Sequence, residues 1–178
     1  MQHDNQLTSD CVQALKQGVA LIEKLDDSLY TETRWLPVKS GVGGHVRHCL
    51  DFYQSFLAGV ASGRIDYNRR EREVLIERDR AFAVTKLRIV IAELQALPDA
   101  DGDAPLLVTR EGVTDTVEPS AWCRSSISRE LQFLLSHTVH HYALVALLLR
   151  LQGFEPVAEF GVTPSTLRHW KREAVCAQ

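Results

Sequence analysis

Apolar residues along this chain recur at steps of three and four over most of its length, the spacing of helices that bury one face. The longest such stretch, 126–152, reads S-I-S-R-E-L-Q-F-L-L-S-H-T-V-H-H-Y-A-L-V-A-L-L-L-R-L-Q and has no internal Pro or Gly. It predicts a buried helix of roughly seven turns, N-capped by Ser126 or Ser128 and stopped by Gly153 in the left-handed conformation. Upstream, Val12, Leu15, Val19, Ile22, Leu25 and Leu29 predict a helix over 9–29. Val46, Cys49, Leu50, Tyr53, Phe56, Leu57 and Val60 predict a second over 42–60, and Ala81, Val84, Leu87, Ile91 and Leu94 a third over 77–97, closed by Pro98. L-L-V-T at 106–109 and V-T-D-T-V at 113–117, on either side of Glu111 and Gly112, predict a small β-hairpin ahead of the long helix. Thr163 caps a short C-terminal helix with Pro164 at its first position. The segment 61–76 holds Asp66, Tyr67, Arg69, Arg70 and Arg72 close together and reads as a solvated connection.

Composition narrows the class. A chain of 178 residues, 45% hydrophobic and 24% charged, fits one domain over 1–178 with a sizeable core. Its formal charge of −3 and scattered basic residues supply no attraction for polyanions, so neither nucleic acid nor a membrane surface is an expected partner. The tail G-V-T-P-S-T-L-R-H-W-K-R-E has the look of a DNA-reading helix but lacks the short partner helix just upstream. S-G-V-G-G at 40–44 lacks the G-K-[ST] ending of a phosphate loop. The N-terminus has no signal pattern, and histidines and Arg150 interrupt the longest apolar run. A soluble cytoplasmic protein is expected, with Cys11, Cys49, Cys123 and Cys176 as reduced thiols.

The chemistry concentrates on the long helix. At 100° per residue, Glu130, Leu134, His137, His141, Leu144 and Leu148 share one stripe, so two imidazoles four residues apart face the core, with His140 to the side of His137. This is the spacing at which one helix offers two nitrogens to a single metal ion; the plainer alternative is a pair of core histidines bonded to backbone or carboxylate. His45 and His48 lie along one margin of the second helix, where either can supply a third ligand, and periodicity alone slightly prefers His45.

Four long helices, S-G-V-G-G-H-V-R-H-C-L-D-F-Y in the second and E-L-Q-F-L-L-S-H-T-V-H-H in the fourth together resemble the DinB/YfiT superfamily of metal-binding helical bundles over nearly the whole chain. H-x-x-H before an aromatic run is also similar to the bundle domain of ergothioneine-type sulfoxide synthases, where the second histidine is the ligand. The resemblance implies an all-α four-helix bundle of up-down type with longer crossover connections. It implies metal ligands at His48, His137 and His141, with His45 the alternative for the first. A divalent cation, Zn or Ni before Fe or Mn, is the implied cofactor, with a low-molecular-weight thiol as co-substrate, because the superfamily includes bacillithiol and mycothiol S-transferases and maleylpyruvate isomerase. The activity expected is thiol-dependent S-transfer or related chemistry on a small molecule. The alternatives are a metal-dependent hydrolase and a non-catalytic metal-binding or stress-response module. Candidate catalytic residues are His140, Tyr142 and Arg47, followed by Asp51, Tyr53 and Glu130, with Arg69 and Arg70 as further candidates to hold a substrate carboxylate. Val139, Ala143, Ala146 and Leu147, apolar but outside the histidine stripe, lead to the expectation of a homodimer.

Overall fold

Short polar side chains set several helix starts. Asp26 accepts a hydrogen bond from the Leu29 backbone N–H at 2.8 Å, Asp79 from Phe82 at 2.9 Å and Ser126 from Arg129 at 3.4 Å, each satisfying a donor that a first helical turn leaves open. In a computed structural model describing residues 2–34, 39–97, 104–110, 112 and 121–176, the helices are α1 Gln2–Ile22, α2 Asp27–Thr31, α3 Val42–Val60, α4 Leu75–Arg78, α5 Arg80–Gln95, α6 Ile127–Leu151 and α7 Pro164–Cys176. The chain is mostly helical, with one small sheet among the described residues.

Two expected helices are each split in two. The first ends at Ile22, and Asp26 starts α2; the third is divided at Asp79, which closes α4 and caps α5. An apolar period continues across both breaks, and the capping carboxylates decide them. By contrast α3 and α6 keep their expected limits, and Gly153, at φ +82°, follows the end of α6.

The sheet holds β1 Arg64–Ile65, β2 Pro105–Thr109 and β3 Trp122–Ser126 in the order β1-β2-β3. β2 contains the first expected hairpin strand. Its antiparallel partner is β3, with Leu107 opposite Arg124 and Val108 opposite Cys123, whereas the expected partner, 113–117, lies outside the described residues. β1 pairs in parallel with β2, Arg64 opposite Leu107, inside the segment read as a loop. β3 leads directly into α6 and so fixes where that helix begins.

The four long helices pack in a closed cycle: α1 lies against α5 and α6, and α3 lies against the same two. Leu15, Ile22, Leu50, Tyr53, Phe56, Leu87, Leu94, Leu131 and Tyr142 fill the centre and are fully buried. Each of the Leu, Ile and Phe side chains among them contributes about 1.5–3 kcal/mol of burial free energy. By length and composition α6 could cross a membrane, and in this fold it packs on α1 and α3. Of the residues behind the homodimer expectation, Ala146 is buried, Val139 half-buried, and Ala143 and Leu147 exposed. Cys11, Cys49 and Cys123 are free thiols.

The start of α3 is held close to α4 by a glycine. A Cβ on Gly43 would collide with the Glu77 carbonyl oxygen and come within 2.9 Å of the Glu77 carbonyl carbon and Cα, all backbone atoms. Gly43→Ala gains about 1 kcal/mol of helix propensity and costs about 1–3 kcal/mol of overpacking against a rigid neighbour. We expect a lower melting temperature for Gly43→Ala; an unchanged or higher one would contradict this packing.

Candidate metal centre

Helices α3 and α6 run antiparallel, as their ring contacts show in register. Phe52 meets Phe133 and His137, with centroids 5.6 and 4.5 Å apart; His48 meets His137 and His141 at 4.9 and 4.6 Å; His45 meets His141 at 5.1 Å. Steps of three or four residues on each helix therefore become successive layers between them. One layer gathers His48, His137 and His141, whose ligand-competent nitrogens all lie within 4.8 Å of one another. Below it, Phe52, Phe133 and Tyr67 form an aromatic floor, with Tyr67 5.2 Å from Phe52 and 5.6 Å from Phe133. Above it sit His45, whose Nδ1 is 2.9 Å from Nδ1 of His141, and the exposed His140, whose ring is 5.3 Å from that of His141.

The charged segment 66–72 is not a solvated connection throughout. The Tyr67 hydroxyl donates to Glu130 Oε2 at 2.9 Å, its backbone N–H donates to Thr109 Oγ1 at 3.1 Å, and Ser125 Oγ donates to Glu130 Oε1 at 2.5 Å. The buried Glu130 thus ties the segment and β3 to α6 beneath the aromatic floor. Arg70 lays its guanidinium carbon 4.5 Å from the Phe52 ring centre. Tyr67, expected within a solvated connection, is buried. Its one signal is the two-residue step from Ile65 to Tyr67, both buried, within a run of charge.

The other candidates divide by position. Tyr142 does not join the histidines: it stacks on Phe160 at 4.8 Å, its hydroxyl faces Gly18 on α1, and burial holds its phenol well above the usual range. One residue beyond His141 on a helix is a turn of 100°, which carries it to the other side. Tyr53 is likewise buried, with its hydroxyl accepting from Thr138 at 3.3 Å. Arg47 is bound by Asp51, at 2.8 Å, and by Glu77, so two carboxylates occupy the guanidinium expected to act on substrate. Burial pushes the Asp51 carboxyl up, against Arg47, Arg70 and Arg72, which favour its ionised form. Arg69 is exposed, and its backbone N–H donates to Asp66 Oδ1 at 3.3 Å.

Burial, then repulsion from neighbouring cationic groups, lowers the three clustered imidazoles. His48 and His137 fall to about 4 and His141 to about 3. Near neutral pH all three are uncharged, as metal ligation requires. Nε2 of His137 is buried and has no hydrogen-bond partner within the protein. A four-coordinate ion with bonds of about 2.1 Å holds its ligand nitrogens about 3.4 Å apart, inside the 4.8 Å that bounds these nitrogens. The donor set and the unbonded nitrogen fit a divalent metal.

A protein of Rhizopus delemar described as FK506-binding protein 5 is 27% identical to this chain over 110 residues, which cover 61% of the chain and 28% of that protein. The chain thus spans less than a third of the length of this relative. No family model and no solved structure matches.

Imidazoles with folded pKa values below the ordinary 6.5 favour the fold only while neutral. Their contribution is whole above about pH 6.5 and is lost as pH falls towards about 4 and 3. In chelator, the melting temperature should therefore drop between about pH 6.5 and 5, above the range in which ordinary carboxylates titrate. His141→Phe, lacking the ring held lowest, should lose less over the same interval. A flat wild-type profile, or equal slopes for the two proteins, would refute this assignment.

Proposed function

We propose that this chain is a divalent-metal-dependent enzyme built on a DinB/YfiT-like four-helix bundle, with His48, His137 and His141 as ligands and thiol-dependent S-transfer or related small-molecule chemistry as its activity. The observation that carries the proposal is the convergence of three neutral, half-buried imidazoles from two helices within 4.8 Å. The closed cycle of four long helices supports the bundle reading. Bound there, an ion such as Zn or Ni would lower the pKa of a thiol or water and polarise an electrophile. The chain's own residues divide the remaining work. Phe52, Tyr67 and Phe133 keep water from one side of the trio. On the other side His140, exposed beside His141, would accept or return a proton. Arg70 adds positive charge near His48 and His137, which favours an anionic group such as a thiolate.

The bundle has a large apolar core of its own, so the metal is not needed to fold it. His141→Ala should leave a folded protein, destabilised by at most a few kcal/mol, while metal affinity and thiol-transfer activity are lost. Untagged protein dialysed against Zn(II) or Ni(II) should retain one ion per chain by elemental analysis, and a panel of thiols and electrophiles should show turnover that chelation abolishes. If chelation and His141→Ala each unfold the domain, the ion is structural and the protein a non-catalytic metal-binding module.

A further inference from the structure

We infer that His45 is a positioning residue which accepts a hydrogen bond from Nδ1–H of His141 and thereby presents Nε2 of His141 to the metal; the inference rests on the metal-site reading above. The two Nδ1 atoms lie 2.9 Å apart, so one carries a proton and the other does not. A ring that uses Nε2 as a ligand must keep its proton on Nδ1, and here Nδ1 of His141 is the atom engaged by His45. The opposite arrangement, with His45 donating, would leave the proton on Nε2 of His141 and remove that nitrogen from the ligand set. His45 then carries its own proton on Nε2, which is buried and bonded to no protein group.

The sequence provides this pairing through spacing. His45 stands one turn before His48 on α3, and α6 runs the other way, so the step from His48 to His45 moves along α6 towards His141. Metal-binding histidines are commonly held by a partner on the second ring nitrogen, usually a carboxylate or carbonyl; here another imidazole takes that part. The H-x-x-H at 45–48 therefore supplies one ligand and one orienting acceptor. His45 lies outside the group of three whose ligand atoms converge.

Zinc titration of wild type, His45→Ala, His45→Asn and His48→Ala tests this, together with long-range proton–nitrogen correlation spectra of the zinc-loaded wild type. His45→Ala should weaken zinc binding about 10- to 100-fold. His45→Asn, whose amide oxygen can stand where Nδ1 does, should recover most of that loss. The spectra should show the proton of His141 on Nδ1 and Nδ1 of His45 bare. Wild-type affinity in His45→Ala, or a proton on Nε2 of zinc-loaded His141, would overturn the inference. The spectra need no variant, so they decide even if His45→Ala fails to fold. Loss of zinc in His48→Ala but not in His45→Ala overturns only the role of His45; unchanged affinity in both overturns the metal site as well.

Discussion

The antiparallel seam between α3 and α6 is the constraint on which the site depends. Each helix contributes a ring about once per turn, and opposite chain directions interleave the rings into layers a few ångströms apart. A parallel arrangement about the same His48 layer would put His45 beside His137 and Phe52 beside His141, so His45 would lose its contact with His141 and Phe52 its contact with His137. What fixes the register is therefore part of the chemistry. Gly43 lets α4 close on the start of α3, Arg47 reaches Glu77 across that contact, and β3 and Glu130 set the start of α6.

Burial works in two opposed ways along this seam. It depresses the imidazoles, so that near neutral pH three nitrogen-bearing rings sit side by side without charge. It also makes any unbonded polar atom costly, about 1–3 kcal/mol for a neutral group, and Nε2 of His137 is such an atom. A group that accepts lone pairs removes that cost. Of the carboxylates close by, Asp51 gives Oδ2 to Arg47, and Glu130 is bound by Tyr67 and Ser125. The three proposed ligands are neutral imidazoles, so a cation bound there would keep its full charge for a substrate.

Much of this was legible from periodicity. The helix with H-x-x-x-H and its Gly153 stop follow from local pattern, as do the limits of α3, while of the two expected caps, Ser126 and Ser128, the structure uses Ser126. Four features did not. Asp26 and Asp79 break helices whose apolar period runs on, because a side-chain cap competes locally with a pattern summed over many turns. The partner of β2 has no sequence signal, because W-C-R-S-S carries no alternation of apolar and polar positions. The choice between His45 and His48 could not come from one helix, since both lie on the same margin and only the register against α6 separates them. Tyr67 is a product of tertiary structure altogether, buried because β1 brings a charged segment back over the floor.

The central claim is that one cation sits among His48, His137 and His141. Crystals of the untagged protein grown with zinc, with data collected on both sides of the zinc absorption edge, test it most directly. The account predicts a single strong anomalous peak within bonding distance of all three rings, about 2.0–2.1 Å from each ligand nitrogen. No peak there, or one held by surface residues alone, would contradict it.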